Sequence, residues 1–192
     1  MTGKFSLDAN DTALLIVDIQ DRLAVIMKAR DEVVKNCLHL IELAKMLDIP
    51  IVLTEQYPKG LGRTVSGIRD ALPAYQPLEK LTFSCCGEPH FLDEIRKLNK
   101  KNIILTGMET HICVLQTCTG LLGDGLNVHL VQDAVCSRTK ENWQTATEFM
   151  RDAGAVVTCT ETVLFQLLKV AGTEEFKAIS KRIKTRGCAQ GD

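Results

Sequence analysis

ALLIVD, residues 13–18, is an almost unbroken apolar run that ends on a carboxylate. Such a run is typical of a strand covered on both faces, as in a parallel sheet. Similar short runs recur along the chain and are separated by longer stretches with helical spacing. They predict strands at 13–18, 50–54, 78–84, 103–106, 128–132 and 155–159.

The stretches between these strands show the spacing of helices. In residues 31–48, Val34, Cys37, Leu38 and Ile41 fall on one helical face. Helices are predicted at 31–48, 88–100, 111–122, 140–153 and 161–184, the last broken near Gly172. Alternating strands and helices predict βαβ units, hence a single three-layer αβα domain with a mostly parallel sheet and helices on both faces. We take residues 1–192 as one domain, with a core at about 12–169 and a helical tail at about 170–192.

Composition and charge restrict the class of protein. The chain has 192 residues, of which 45% are hydrophobic and 24% charged, as in soluble globular domains. A net charge of −1 provides little attraction to nucleic acid or to anionic membrane. The first residues, MTGKFSLDAND, show neither signal-peptide nor transit-peptide character. We expect a cytoplasmic protein with a small-molecule partner, no nucleic acid and no membrane, although organellar import stays open.

Eight cysteines are many for this length, but their spacing does not indicate a metal site. No C-x-x-C occurs, and none of the four histidines is spaced with a cysteine as in a zinc site. We expect most of the cysteines to be reduced and buried as small apolar residues.

Polar residues after the predicted strands are the candidate site, because ligands of parallel α/β folds bind beyond the carboxyl ends of the strands. Asp18 emerges from a buried strand, which costs several kcal/mol unless the carboxylate is paired, and a helix cap or structural ion pair is the alternative to a catalytic role. Lys80 lies in the apolar stretch LEKLTFS, where a lysine on an edge strand that reaches to solvent is the alternative.

TGMETHICV, residues 106–114, links a predicted strand to a predicted helix. Cys113 is near the start of that helix, where unpaired N–H groups and the helix dipole favour a thiolate, so we expect a lowered pKa. Ordinary burial is the alternative for Cys113, and it is our interpretation of Cys118, one turn further on. His111 has no second ligand at metal-site spacing and is expected to line a pocket or to pack.

Taken together, LLIVDIQ (14–20), LEKLTFS (78–84) and GMETHICV (107–114) resemble the isochorismatase-like, or cysteine hydrolase, superfamily. The resemblance covers about residues 12–169, and the segments TEQYPKGLG and LFQLLKVAGTEEFKAISKRIK are similar to the subgroup of small isochorismatase-domain proteins. It implies a six-stranded parallel sheet of order 3-2-1-4-5-6. The strands that precede Asp18 and Cys113 would then be neighbours.

The resemblance also implies roles for individual residues. Cys113 would be the nucleophile, Asp18 its proton acceptor and Lys80 the third member of a catalytic triad. The backbone N–H groups of Glu109 and Cys113 would form an oxyanion hole for a tetrahedral intermediate that leads to a thioester. The bond between Met108 and Glu109 would be a cis peptide.

Two departures from the family pattern narrow the expected activity. Nicotinamidases of this superfamily carry a metal site of Asp and His residues after the second strand, where this chain reads TEQYPKGLGR. True isochorismatases lack the nucleophilic cysteine. We therefore expect a hydrolase of a small amide or related C–N bond that uses no metal or cofactor. Because members of this family usually form oligomers, the resemblance also implies a homo-oligomer. The candidate pocket residues are Gln20, Gln56, Tyr57, Phe83 and His111.

Two other classes of function stay open at this point. One is a non-catalytic binding or scaffold protein with the same fold, and the other is a nucleic-acid-associated, ribonuclease-like protein. The combination of Asp18, Lys80 and Cys113 argues against the first class. Burying a charged cluster costs stability, and a protein without catalytic activity gains nothing from that cost. The near-neutral charge and the aromatic content of 5% argue against the second.

Overall fold

The structure, a computed structural model, describes residues 3–184. Its centre is one six-stranded, all-parallel sheet of order β3-β2-β1-β4-β5-β6. The strands are β1 Thr12–Val17, β2 Ile51–Gln56, β3 Leu78–Lys80, β4 Asn102–Met108, β5 Asn127–Cys136 and β6 Val156–Thr158. The strand order expected from the resemblance is confirmed.

Helices cover both faces of the sheet. The longer ones are α2 Arg30–Met46, α5 Pro89–Lys97, α6 Leu115–Gly123, α7 Lys140–Asp152, α8 Thr160–Leu168 and α9 Glu174–Lys184. Three short helices lie between β1 and β3: α1 Asp21–Ala24, α3 Pro58–Leu61 and α4 Ser66–Ala71. Within residues 3–184, no helix is both long enough and apolar enough to cross a membrane.

The unbroken apolar run of β1 is explained by its central position, because its alternate side chains enter two separate apolar layers. Leu14 and Ile16 pack in the layer formed with α2, α4, α8 and α9. Ala13, Leu15 and Val17 pack in the opposite layer, with α5, α6 and α7. Each fully buried side chain of Leu or Ile size contributes roughly 1.5–3 kcal/mol to stability.

Several predicted boundaries are wrong. The third strand ends at Lys80 instead of residue 84, because the chain turns back so that the carbonyls of Thr82 and Phe83 face the Lys80 ammonium. Strand β5 continues to Cys136, because a register shift lets its last residues pair with the end of β4.

Two predictions that concern the positions of helices also need correction. The stretch 55–67, predicted as loop, contains α3 and the start of α4. The helix predicted at 111–122 begins with a π-helical turn, Thr110–Val114, before regular α6. The predicted tail contains α9, Glu174–Lys184, and the part beyond Lys184, which includes Cys188, lies outside the described residues.

Candidate active site

Asp18 lies just beyond β1, at the point where strand order reverses between β1 and its neighbours β2 and β4. Its backbone is left-handed, with φ of 53°, and its side chain is fully buried. The hydroxyl of Thr54 at the end of β2 donates to Asp18 Oδ1 over 2.7 Å. A buried carboxylate requires such partners, because an unpaired one is costly to desolvate.

Lys80 is the counter-ion of Asp18. Its Nζ lies 2.6 Å from Asp18 Oδ2, and both side chains are almost completely buried. The same ammonium donates to Gln56 Oε1 at 2.6 Å and to the carbonyls of Thr82 and Phe83 at 3.3 and 3.1 Å. Lys80 therefore faces the interior, and the alternative of a lysine that reaches to solvent is wrong.

Cys113 lies in the π-helical turn after β4, and its side chain is buried. It lies close enough to Asp18 for the negative charge of that carboxylate to raise the pKa of the thiol. Asp18 thus pairs with the Lys80 ammonium and acts through its charge on the Cys113 thiol. The structure brings together the three side chains that the resemblance assigns to a triad.

The pKa of Cys113 contradicts the expectation from the sequence. Burial and the negative charge of Asp18 raise the pKa of the Cys113 thiol to about 12, although the Lys80 ammonium acts in the opposite direction. The favourable field of a helix N-terminus is outweighed, because desolvation penalises the thiolate. The resting group is therefore a thiol.

The acid and the lysine are also shifted. Burial raises the pKa of the Asp18 carboxyl, and the Lys80 ammonium reduces this rise without cancelling it. Burial acts to lower the pKa of Lys80, but the Asp18 charge and the two nearby thiols of Cys85 and Cys113 outweigh it, so that the pKa is raised. Asp18 is consequently a better proton acceptor than a surface carboxylate, beside a lysine that stays charged.

The backbone between β4 and the π-helical turn has two unusual features. The bond between Met108 and Glu109, where the resemblance implies a cis peptide, is cis. Gly107 has φ of +129°, and a Cβ atom at this position would collide with the backbone of Val17 in β1. Only glycine allows the two central strands to approach so closely at this point.

Side chains from the end of β5 and the start of α7 hold this turn. Arg138 Nε donates to Glu109 Oε2 over 2.9 Å. His111 Nδ1 lies 2.9 Å from Ser137 Oγ, and His111 Nε2 lies 3.4 Å from Asn142 Nδ2. His111 is therefore half-buried and held by polar neighbours, away from any arrangement of metal ligands.

Gln20 does not have the place expected of a pocket residue. Its side chain is completely buried, where Nε2 donates to the carbonyls of Gln56 and Gly62 at 3.0 and 2.7 Å, and Oε1 accepts from the Gln56 N–H at 2.7 Å. Every polar group of Gln20 is used to fix the loop after β2. Backbone groups, which no sequence pattern locates, occupy the amide, and the role of Gln20 as a pocket residue stays a prediction.

The other predicted pocket residues lie near Lys80. Gln56 Nε2 donates to the carbonyl of Leu81 over 2.9 Å, so that its amide connects the loop after β3 to the Lys80 ammonium. Tyr57 and Phe83 are about half exposed, on the surface next to this loop. Their role as pocket lining stays a prediction.

The region after β2, which holds the metal in nicotinamidases, is occupied here by hydrogen bonds. Glu55 Oε1 accepts from the N–H and the hydroxyl of Thr64 at 2.6 and 2.7 Å and from the Tyr75 hydroxyl at 2.5 Å. Among residues 3–184, no group of three or more His, Cys, Asp or Glu side chains is arranged to hold a metal ion.

Several residues of the site were missed from the sequence. Thr54 could have been found, since it is a polar residue at the carboxyl end of a predicted strand. Cys85, whose Sγ lies 3.8 Å from Thr54 Oγ1, is a second buried thiol beside Lys80, and burial raises its pKa to about 12. A cavity of about 350 Å³ reaches Thr54, Lys80 and Cys85 from the side of Phe91 in α5. Neither Cys85 nor Arg138 carried any pattern that distinguished it.

A doubly wound parallel sheet with its polar groups gathered at the switch point defines a class of α/β proteins that bind ligands at the carboxyl edge. Residues 12–162 match the Isochorismatase domain family. The chain therefore belongs to the isochorismatase-like hydrolase family, as the motifs of the sequence indicate.

Three similar proteins illustrate this relationship. The secreted isochorismatase effector Isc1 of Phytophthora sojae is 38% identical over 181 residues, which cover 91% of this chain and 85% of that protein. Isochorismatase family protein 1A of Dictyostelium discoideum is 38% identical over 179 residues, covering 91% and 86%. A solved structure of MAR1 ribonuclease from Caenorhabditis elegans is 38% identical, with a TM-score of 0.87 over 93% of this chain and 92% of that chain.

Proposed function

We propose that this protein is a metal-independent cysteine hydrolase that cleaves an amide or related C–N bond of a small molecule. The observation that carries the proposal is the position of the Asp18 carboxylate, 2.6 Å from Lys80 Nζ and close enough to the Cys113 thiol for its charge to raise the pKa of that thiol. Membership of a hydrolase family supports the reaction class. In this proposal Asp18 provides the base, Lys80 the cation and Cys113 the nucleophile, and all three side chains are buried in one cluster.

In the proposed first step, Asp18 takes the thiol proton while Cys113 Sγ attacks the carbonyl carbon of the substrate. Burial raises the pKa of both the Asp18 carboxyl and the Cys113 thiol. The proton can therefore pass from the sulfur to the carboxylate during the attack, and no stable thiolate has to form beforehand. The Lys80 ammonium remains charged and stabilises the negative charge as it moves from the carboxylate to the sulfur.

In the following steps, charge develops on the carbonyl oxygen, and the backbone N–H groups of Glu109 and Cys113 would stabilise it. When the tetrahedral intermediate collapses, the C–N bond breaks and Asp18 returns its proton to the leaving nitrogen. The resulting thioester is then attacked by a water molecule that Asp18 deprotonates. This step releases the acid and restores the Cys113 thiol.

A screen of amides and ureides on the wild type and on Cys113→Ala tests this proposal. We expect the variant to lose at least about 10³-fold in turnover, because it lacks the nucleophile. Cys118→Ala, which removes another buried thiol of the following helix, is the matched control and should keep activity. Full activity of Cys113→Ala would refute the triad.

A ribonuclease-like activity is the second candidate, favoured by the name of the Caenorhabditis elegans structure, which is 38% identical. The net charge of −1 gives little electrostatic support for binding a phosphate backbone. RNA degradation that follows the protein through size-exclusion chromatography and disappears in Asp18→Asn would favour this activity. Degradation that persists in that variant would indicate a contaminant.

We also propose that the protein is a cytoplasmic homo-oligomer. Exposed apolar side chains near the carboxyl edge support self-association: Val25, Ile26, Tyr57, Leu81 and Phe83. Sedimentation velocity measures the mass directly, and a monomer at micromolar concentration would contradict this proposal. Imaging of the tagged protein in its own cells would test the location.

A further inference from the structure

We propose that Arg138 is a positioning residue, which holds the Glu109 peptide as an oxyanion donor by way of the Glu109 side chain. The inference rests on the proposed function and assigns a role to a residue outside the triad. Two donors of Arg138 converge on Glu109 Oε2: the guanidinium Nε at 2.9 Å and the backbone N–H at 3.4 Å.

The burial of the two side chains shows which partner depends on the other. The Glu109 side chain is only 8% exposed, whereas that of Arg138 is 53% exposed. A buried carboxylate that loses its cation has to move toward water or be protonated, because an uncompensated buried charge is strongly unfavourable. The guanidinium therefore fixes where the Glu109 side chain lies, and the main chain of the same residue moves with it.

Glu109 is also the anchor of the turn that carries the nucleophile. Its carbonyl accepts the N–H groups of Ile112 and Val114 at 3.1 and 3.2 Å, on either side of Cys113. A shift of Glu109 would therefore displace both proposed oxyanion donors, the N–H of Glu109 and that of Cys113. An oxyanion hole needs its donors within a few tenths of an ångström of the developing charge.

Further contacts from residues 137–142 support the link between Arg138 and Glu109. Ser137 and Asn142 contact the two ring nitrogens of His111 at 2.9 and 3.4 Å. Residues 137–142 thus hold residues 109–111 at both ends. Within residues 137–142, Arg138 is the residue whose charge pairs with that of Glu109.

Two reactions of the same thiol separate positioning from general structural support. With p-nitrophenyl acetate, an S–C bond forms, the carbonyl electrons pass through an oxyanion, and p-nitrophenolate leaves while Asp18 takes the thiol proton. With methyl methanethiosulfonate, an S–S bond forms and methanesulfinate leaves, and no oxyanion develops on a carbonyl. Only the first reaction needs the oxyanion donors.

We expect Arg138→Ala to lower the acetylation rate of Cys113 by about 10- to 100-fold, since complete loss of one oxyanion donor costs about 10²–10³-fold. The rate with methyl methanethiosulfonate, followed at Cys113 by mass mapping, should stay within about twofold, because that reaction develops no oxyanion. Arg138→Lys keeps a charge but loses the Nε geometry, so it should fall between the wild type and Arg138→Ala.

Arg96→Ala is the matched control, because Arg96 is a similarly exposed arginine that pairs with Asp124 near the opposite end of α5 and α6. Neither rate should change in it. If Arg138→Ala does not fold, Arg138→Ala/Glu109→Gln removes the unpaired charge and serves in its place. An unchanged ratio of the two rates, or an equal fall in both, would overturn the inference. A wild type whose Cys113 reacts with the thiosulfonate but is never acetylated would instead overturn the proposed function.

Discussion

At the scale of single residues, the site depends on one carboxylate with three different partners. Asp18 accepts from Thr54, pairs with Lys80 and acts on the Cys113 thiol through its charge. In the proposed mechanism its negative charge accepts a proton, yet the same charge opposes formation of a thiolate beside it. The two effects can be separated by substitution.

Asp18→Asn should make Cys113 easier to alkylate and at the same time inactive in hydrolysis. Without the carboxylate charge, the Lys80 ammonium remains beside the sulfur and the pKa of Cys113 falls from its value of about 12. We expect the iodoacetamide rate at pH 8 to rise several-fold while turnover falls at least about 10²-fold, because the general base is lost. Alkylation that slows in this variant would contradict the assignment of the charges.

His129 in β5 should make stability depend on pH. Burial lowers the pKa of this histidine below 6.5, and its Nε2 atom has no hydrogen-bond partner among the described residues. The unfolded chain therefore binds the proton more readily, so the stabilising contribution is present above pH 6.5 and is lost as pH falls through the folded-state pKa.

We expect the unfolding free energy to decrease between pH 7 and pH 5, by at most about 1.4 kcal/mol per pH unit from this group. His129→Gln should reduce this slope, whereas His90→Gln, at an exposed histidine, should not. Urea unfolding at several pH values provides the measurement. Equal slopes in all three proteins would show that His129 does not contribute.

At the scale of elements, the contact between β1 and β4 depends on a residue without a side chain. Gly107 combines φ of +129° with a backbone approach to Val17 that leaves no room for a Cβ atom. The close approach brings the ends of two strands together, and those ends carry Asp18 and the turn with Cys113. The proximity of Asp18 to the turn with Cys113 is therefore a consequence of how these two strands pack.

Gly107→Ala should destabilise the protein by about 3 kcal/mol or more, because it combines backbone strain with a collision in the core. Gly123→Ala is the control, since a Cβ atom there meets nothing within 4 Å at the end of α6. That change should be neutral or slightly stabilising. Differential scanning calorimetry of both variants makes the comparison, and a Gly107→Ala protein with wild-type stability would show that the strands can separate without cost.

At the scale of the whole molecule, the loop after β2 is held by internal hydrogen bonds to Glu55 where related nicotinamidases use a metal. We expect dialysis against EDTA to leave both the melting temperature and the hydrolytic rate unchanged. Loss of activity on dialysis that zinc restores would contradict this expectation. The melting temperature separates a structural from a catalytic effect of any metal.

The sheet could be predicted because each central strand is an apolar run, and the strand order followed from the family motifs. The positions of Asp18 and Cys113 at strand ends followed from the same pattern. The pKa of Cys113 could not be predicted, because the depth of burial is a property of the packed molecule. The hydrogen bonds of Gln20 could not be predicted for a similar reason, since its partners are main-chain groups, and Arg138 reaches Glu109 from the loop after β5.

The Lys80 ammonium binds both the Asp18 carboxylate and the carbonyls of Thr82 and Phe83. The main-chain path of this loop is consequently tied to the charge balance of the interior, and any large opening would leave a buried cation short of acceptors. The side chains of Leu81 and Phe83 are exposed and do not take part in these hydrogen bonds, which are made by the main chain. Substitutions at these two positions would therefore change the shape of the surface beside Lys80 while the backbone that the lysine requires is retained.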